Sequence, residues 1–157
     1  MNENASPSQT SGPLFGFSLL YDGSDGAAER DAVGLEGMVL DGDGERLPYE
    51  ALIELWQGDQ FVRVRTDAEG RYVAYVVKPD CHPQAPHLNV TVFARGLLKQ
   101  VQTRMYFPDE EDANARDPVM ELVPAERRAT LVARPNGAGL RFDVHLQGPD
   151  ETVFFAL

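Results

Sequence analysis

Cysteine is nearly absent from this sequence, which has one such residue, Cys81, among 157. The chain therefore cannot form an internal disulfide or assemble a thiolate metal cluster from its own residues. Long apolar runs are missing as well, since no stretch approaches the ~18 apolar residues that a membrane-spanning helix needs. The first six residues have neither the charge nor the apolar segment of a signal peptide, so we expect a cytoplasmic protein.

Positive charge is scarce too. Lys and Arg together number 14 against 25 Asp and Glu, which gives a formal net charge of -11. Nucleic acid is a poor partner for such a surface, because phosphate binding needs a concentrated basic footprint. The acidic balance is typical of a soluble surface, and a small anionic substrate would need local cations.

The familiar motifs of catalysis and metal binding are also missing. The sequence has no Gly-rich phosphate loop, no Gly-x-Ser-x-Gly elbow and no His-Glu-x-x-His helix. Its histidines, His82, His87 and His145, form no His-x-His pair. His87 and Asn89 share one face of a predicted strand, but an amide is a weak transition-metal ligand beside an imidazole. We therefore expect His87 to be a hydrogen-bonded, partly buried histidine and His145 to be an exposed strand residue.

Short strands broken by Gly, Asp and Pro turns are the main pattern after residue 32. With 157 residues, 43% of them apolar, the chain suits one packed domain. Residues 1–32 are polar and rich in turn formers, so we interpret them as an N-terminal arm and connector before a domain at 33–157. Little helix is predicted, beyond short turns near 109–114 and 124–128. The pattern predicts an all-β protein, an antiparallel two-sheet β-sandwich. The predicted strands span residues 34–40, 51–56, 61–66, 71–77, 88–94, 102–107, 130–133, 140–146 and 152–155.

Six segments, in order along nearly the whole chain, carry a family resemblance. They are PSQTSGP at 7–13, ELWQ at 54–57, APHLNV at 85–90 with FARG at 93–96, TRMYF at 103–107, RRATLVA at 127–133, and RFDVHLQG at 141–148 running to ETVFF at 151–155. Any one of them is a weak signal, whereas the ordered set is specific. Together they resemble the alpha subunits of protocatechuate 3,4-dioxygenase, in the intradiol ring-cleavage family.

The resemblance implies a β-sandwich that pairs with a beta subunit in a large hetero-oligomer. In that family the beta subunit holds Fe(III) through two tyrosines and two histidines spaced His-x-His. Here Asn89 stands at the second histidine position, the loop after Gln57 is shortened to GDQF, and DCH follows Pro79. The resemblance therefore implies no metal and no cofactor on this chain, and Fe(III) on the beta subunit.

The implied reaction is the O2-dependent intradiol cleavage of protocatechuate, a catechol carboxylate, to 3-carboxy-cis,cis-muconate. The alpha subunit of such an enzyme helps to form the substrate pocket. Arg95 matches an arginine that reaches the substrate, which implies a catalytic and substrate-binding role, and Thr10, Gly12 and Pro13 match a substrate-binding N-terminal arm. The alternative for Arg95 is a side chain that holds a strand end or an interface acid. The alternative for the whole chain is a non-catalytic binding or scaffold module that has lost the iron site.

Overall fold

Nine short strands and a few helical turns make up the part of the chain that the computed structural model describes, residues 12, 15–27 and 29–156. The strands are β1 (Val33–Leu40), β2 (Ala51–Gln57), β3 (Gln60–Arg65), β4 (Arg71–Val76), β5 (His87–Ala94), β6 (Val101–Tyr106), β7 (Arg134–Asn136), β8 (Gly139–Arg141) and β9 (Val144–His145). The helices are α1 (Phe15–Ser18), α2 (Glu111–Ala115), α3 (Pro118–Leu122) and a 3-10 helix at Ala125–Leu131.

Two sheets face each other across the core. The first has the strand order β4-β1-β8-β7, with β9 also paired to β1, and the second has the order β3-β2-β5-β6. Antiparallel pairing dominates, although β8 and β9 both run parallel to β1. The predicted two-sheet β-sandwich with short helical turns is thus confirmed.

Side-chain alternation along each strand explains why the two sheets pack together. In β4, Tyr72, Ala74 and Val76 are buried while Arg71 and Val73 are exposed. The same period operates in the opposite sheet, where Leu88, Val90 and Val92 of β5 enter the core. Burial of each such aliphatic side chain stabilises the fold by about 1.5–3 kcal/mol.

The C-terminal strand predictions are partly wrong. Residues 140–146 are not one strand, because the backbone leaves the ladder at Phe142 and Asp143 between β8 and β9. The buried Tyr72 phenol donates to the Phe142 carbonyl oxygen over 2.5 Å, and the Asp143 carboxylate accepts from the Met38 backbone N–H at 3.0 Å. Most of 130–133 is 3-10 helix or an isolated bridge, and residues 152–155 follow no regular strand.

A second apolar cluster covers one end of the β5–β6 sheet on its outer face. It contains Ala85, Tyr106, Met120, Val123 and Leu131, so it joins the strands to the helical turns. The turns are fixed by a buried acid, because the Asp117 carboxylate caps α3 by accepting from the Val119 and Met120 N–H groups. Pro118 suits the first helical position, because a backbone N–H there would have no acceptor within the helix.

Residues 19–26 bind to the edges of both sheets. The Ser24 carbonyl accepts from the Arg63 N–H of β3 at 2.6 Å, and the Asp25 carbonyl accepts from the Tyr75 N–H of β4 at 2.8 Å. Gly26 has a φ of +78°, and a Cβ there would lie 2.2 Å from the Tyr75 carbonyl oxygen. Part of the predicted connector thus closes one side of the sandwich, while the domain boundary at residue 33 stays a prediction.

Helices in the described part of the chain are all too short or too polar to cross a membrane.

Candidate functional site

Arg95 lies at the strand end where β2 begins and β5 ends. Its backbone N–H donates to the Glu50 carbonyl at 2.9 Å, which extends the β2–β5 pairing one step beyond Ala51 and Ala94. Its side chain bonds the same residue, with Nη1 2.5 Å from Glu50 Oε1. The Arg95 side chain is 64% exposed and that of Glu50 only 26%. Arg95 therefore does hold an acid in this chain, while most of its side chain is exposed to solvent.

The turn before Glu50 is tightly constrained. Tyr49 has a φ of 57°, a left-handed conformation that residues other than Gly and Asn rarely adopt. Its N–H donates to the Asp67 carbonyl at 3.1 Å. The buried Thr66 hydroxyl donates to the Leu47 carbonyl at 2.6 Å and accepts from the Ala51 N–H at 3.2 Å. These bonds fix the backbone on either side of Glu50.

A second guanidinium lies at the same end of the sheet. The Cζ atom of Arg65 is 5.4 Å from the centre of the Tyr49 ring, close enough for a cation–π contact. Arg65 is the pairing partner of Leu52, and Arg95 directly follows Ala94, the partner of Ala51, so both belong to this strand end. The local cations that a small anionic ligand would need in an acidic chain are therefore present here.

Of the three N-terminal residues predicted to bind substrate, the structure describes only Gly12. Gly12 is exposed, and its carbonyl accepts from the Phe15 N–H at 3.2 Å. Thr10 and Pro13 lie outside the described residues. Within the described ranges no hydrogen bond joins Gly12 to Arg95, so the placement of this arm near Arg95 stays a prediction.

His87 and Asn89 lie at the opposite end of β5, on the order of 25 Å from Arg95 at the usual rise per strand residue. His87 is 1% exposed, more deeply buried than the sequence suggested. Its Nδ1 lies 2.8 Å from the Ala85 carbonyl oxygen, and its ring packs against Tyr106 with centroids 5.5 Å apart. Burial lowers the pKa of His87, so its neutral form is favoured.

The side chains around Asn89 are uncharged and are hydrogen-bonded to one another. The Asn89 amide donates to Gln57 Oε1 at 2.9 Å, and the Gln57 amide donates to Cys81 Sγ at 3.1 Å. Cys81 Sγ in turn lies 3.7 Å from the His87 carbonyl oxygen, a weak S–H donation. Each of these three side chains, of Asn89, Gln57 and Cys81, thus has a hydrogen-bond partner in this chain.

These residues do not fit a ferric ion. Across residues 12, 15–27 and 29–156, no group of three or more His, Cys, Asp or Glu side chains could hold a metal. Two amides, one thiol and one buried imidazole also lack the anionic oxygen donors that Fe(III) favours. The described residues thus give no iron site to match the one that the resemblance places on a beta subunit.

The sequence did not predict that a buried acid pairs with the buried phenol of Tyr106. Tyr106, fully buried, donates to Asp117 Oδ1 at 3.0 Å, and Asp117 Oδ2 accepts from the Ala85 N–H at 3.0 Å. Burial is the main cause that raises the pKa of Tyr106 to about 12. The Asp117-Pro118 pair is a helix-start signal that could have identified the acid. Glu50 was missed as well, and no local signal marks it, because only strand pairing brings it to Arg95.

Comparison with known proteins identifies close relatives, although no family model matches the chain. It is 43% identical to the protocatechuate 3,4-dioxygenase alpha chain of Burkholderia cepacia, over 95% of each chain. It is 34% identical to the alpha chain of the same enzyme from Pseudomonas putida, over 95% of this chain and 94% of that one. The Burkholderia cepacia beta chain is also similar, at 28% identity over 74% of this chain and 64% of that one.

Solved structures of ring-cleaving dioxygenases share the fold. The dioxygenase domain of a carbohydrate-binding fusion protein from Streptomyces sp. SirexAA-E superposes with a TM-score of 0.60, at 22% identity over 78% of this chain and 83% of that one. Catechol 1,2-dioxygenase from Pseudomonas arvilla C-1 gives a TM-score of 0.54, at 22% identity over 81% of this chain and 57% of that one. The ordered motifs, the sandwich and the near full-length relatives agree, and this chain belongs to the family of protocatechuate 3,4-dioxygenase alpha chains.

Proposed function

We propose that this chain is the non-iron alpha subunit of a protocatechuate 3,4-dioxygenase. With a beta subunit, the complex breaks the ring bond between the two hydroxyl-bearing carbons of protocatechuate and adds both atoms of O2. The product is 3-carboxy-cis,cis-muconate. The observation that carries the proposal is the 43% identity, over 95% of both chains, to a protein with that name.

Fe(III) belongs to the beta subunit in this proposal and supplies the redox chemistry there. The donor set of this chain supports that division, because Asn89, Gln57 and Cys81 bond to one another and His87 bonds to the Ala85 carbonyl. A single buried imidazole cannot replace the four ligands implied for the partner. The contribution of this chain is to shape and charge a cavity at the interface.

Arg95 is the residue that acts on the substrate. Protocatechuate carries a carboxylate, and negative charge grows on the ring fragment as it is cleaved. A guanidinium suits both, since it binds carboxylates through paired charge-assisted hydrogen bonds and stabilises developing anions. The 64% exposure of the Arg95 side chain supports this role, because a partner subunit and substrate can reach it. Thr10, Gly12 and Pro13 line the same pocket in this proposal.

Co-expression with the matching beta subunit tests the assignment. We expect the two chains to co-purify in a fixed ratio, as a large hetero-oligomer with one iron per alpha–beta pair, and to consume O2 when protocatechuate is added. The alpha chain purified alone serves as the control and should bind no stoichiometric iron. A chain that stays monomeric beside its beta subunit would contradict the proposal.

Replacing Arg95 with alanine in the assembled complex separates an enzyme subunit from a scaffold. Loss of a charge-assisted hydrogen bond is worth about 1.5–3 kcal/mol, so kcat/KM for protocatechuate should fall by roughly 10- to 100-fold. Arg71→Ala is the control, because Arg71 has a similarly exposed side chain, at 54%, and pairs with Asp67. Unchanged turnover in the Arg95→Ala complex would instead support the scaffold module.

A further inference from the structure

We propose that Glu50 is a positioning residue for Arg95, one that holds the guanidinium at Nη1 and presents the rest of it to the substrate carboxylate. The inference rests on the proposed function, in which Arg95 binds the substrate. It adds a second residue of this chain to the recognition of the carboxylate, one that never touches the substrate itself.

Glu50 contacts the Arg95 guanidinium at only one of its three nitrogens. Glu50 Oε1 accepts from Nη1 of Arg95 at 2.5 Å, and among the described residues no second side-chain bond of Arg95 is formed. A guanidinium has five N–H donors in a rigid plane, so Nε and Nη2 keep the fork that fits a carboxylate in two parallel bonds. Glu50 therefore anchors one end of the group and leaves its Nε–Nη2 edge to the substrate.

Glu50 is itself held firmly enough to orient a long side chain. Its carbonyl oxygen accepts from the Arg95 N–H at 2.9 Å, so the two residues are joined through both backbone and side chain. The residue before it, Tyr49, adopts a left-handed φ of 57°, a conformation that is costly for a residue with a side chain. Such a conformation persists only where surrounding contacts enforce it, and here the Tyr49 N–H bonds the Asp67 carbonyl.

Glu50 both orients the Arg95 side chain and neutralises its charge, and these two roles predict opposite changes in substrate binding when Glu50 is removed. An arginine side chain loses rotamer entropy when it binds a ligand, and a fixed acid takes up part of that loss before the substrate arrives. A negative charge beside Arg95 also repels the substrate carboxylate, although solvent around this exposed pair screens the repulsion. We expect the orienting effect to dominate, because Glu50 is bonded to Arg95 through both backbone and side chain, so removing Glu50 should weaken substrate binding.

Two substitutions at residue 50 in the assembled alpha–beta complex distinguish the effects. Glu50→Ala removes the acceptor and the charge, whereas Glu50→Gln keeps an acceptor oxygen without the charge. We expect Glu50→Ala to raise KM for protocatechuate about 5- to 10-fold, with kcat changed less than about 2-fold. The KM of Glu50→Gln should lie closer to that of the natural chain than to that of Glu50→Ala on a logarithmic scale.

Ligand binding gives a readout that does not depend on turnover. 4-Hydroxybenzoate keeps the carboxylate but has one hydroxyl, so it cannot undergo cleavage between two hydroxyl-bearing carbons. Its Kd, measured by calorimetry, should rise with Glu50→Ala by the same factor as KM. Catechol lacks the carboxylate, and its KM should stay within about 2-fold. Glu69→Gln is the matched control, since Glu69 is 57% exposed and pairs with Arg71 at 3.8 Å.

The combined variants show which claim fails. If Arg95→Ala alone lowers kcat/KM and Glu50→Ala adds nothing to it, the two residues act as a unit, as expected. If Arg95→Ala has no effect, the substrate role of Arg95 fails and Glu50 loses its proposed purpose. If Arg95→Ala is impaired while Glu50→Ala and Glu50→Gln both lower KM, then Glu50 only neutralises Arg95 and the positioning role is overturned.

Discussion

The Tyr106 phenol donates a hydrogen bond of 3.0 Å to Oδ1 of Asp117, and both residues are at most 1% exposed. The same carboxylate accepts from the Ala85 N–H at 3.0 Å and caps α3 through the Val119 and Met120 N–H groups. One acid thus ties together β6, the loop before β5 and a helix N-terminus.

Asp117→Asn should lower the free energy of unfolding at pH 7 by about 2–4 kcal/mol. The amide replaces one acceptor oxygen with a donor, which leaves buried N–H groups without partners. Denaturant unfolding measures the loss, and Asp112→Asn, at an exposed acid of α2, is the control. A loss no larger than that of the control would show that the network carries little stability.

The pH dependence of the same pair tests the charge on Asp117. Burial by itself would raise the pKa of Asp117, but the hydrogen bonds from Met120, Ala85, Tyr106 and Val119 together hold it below 3.8. A lowered acid pKa stabilises the fold above the unfolded value and stops doing so as the pH falls through the folded value. The difference between the natural chain and Asp117→Asn should therefore shrink below about pH 3.8.

The free energy of unfolding of His87→Gln should fall less steeply with decreasing pH than that of the natural chain. Burial lowers the pKa of His87 from 6.5, so the unfolded chain takes up a proton that the folded chain does not. Stability contributed by the neutral imidazole is present above pH 6.5 and is lost as the pH falls through the lowered pKa. Between pH 6.5 and the lowered pKa, the slopes of stability against pH for the natural chain and His87→Gln should differ by up to ~1.4 kcal/mol per pH unit.

Chemical unfolding at a series of pH values measures that slope. His82→Gln removes an exposed imidazole and serves as the control. Equal slopes in the natural chain and in His87→Gln would mean that His87 takes up its proton without opposition in the folded state.

Gly37→Ala should destabilise the sandwich by about 3 kcal/mol, whereas Gly34→Ala should change it by less than about 1 kcal/mol. A Cβ on Gly37 would lie 1.8 Å from the Phe142 carbonyl oxygen, and one on Gly34 would have no heavy atom within 4 Å. Both glycines belong to β1, so thermal unfolding of the two variants compares the same Gly-to-Ala substitution at two positions of one strand. Similar losses in both would contradict the close approach of Phe142.

Arg63→Lys should loosen residues 19–26 without unfolding the sandwich. The guanidinium donates to Glu54 Oε1 through Nε and Nη2, and to the Leu19 carbonyl through Nη1 at 3.1 Å. A single ammonium cannot keep both contacts. The Tyr75 N–H, which bonds the Asp25 carbonyl at 2.8 Å, should then exchange with solvent about tenfold faster.

Amide hydrogen exchange measures that change. Arg65→Lys makes the same replacement two residues later, where the guanidinium lies over Tyr49, and should leave the Tyr75 N–H protected. Equal protection of Tyr75 in both variants would show that Arg63 does not hold the segment.

Strands with clear alternation could be predicted from the sequence, and those with special contacts could not. The predicted strand at 61–66 matches β3 within a residue at each end, because its apolar and charged residues alternate in step with the pleat. The predicted strand at 140–146 fails because Tyr72, about 70 residues earlier, takes the Phe142 carbonyl and Asp143 takes the Met38 N–H. A local pattern contains no record of those distant partners.

The amino-acid sequence by itself determined the fold class, the family and the shortage of iron ligands, because periodicity, ordered motifs and residue identity are all local properties. Only the tertiary structure decided that Glu50 holds Arg95, that Asn89 bonds Gln57, and that Asp117 joins Tyr106 to a helix start. Each of these pairs depends on strand register or helix packing. Such contacts join residues far apart in the chain, and their geometry exists only after the two sheets have packed.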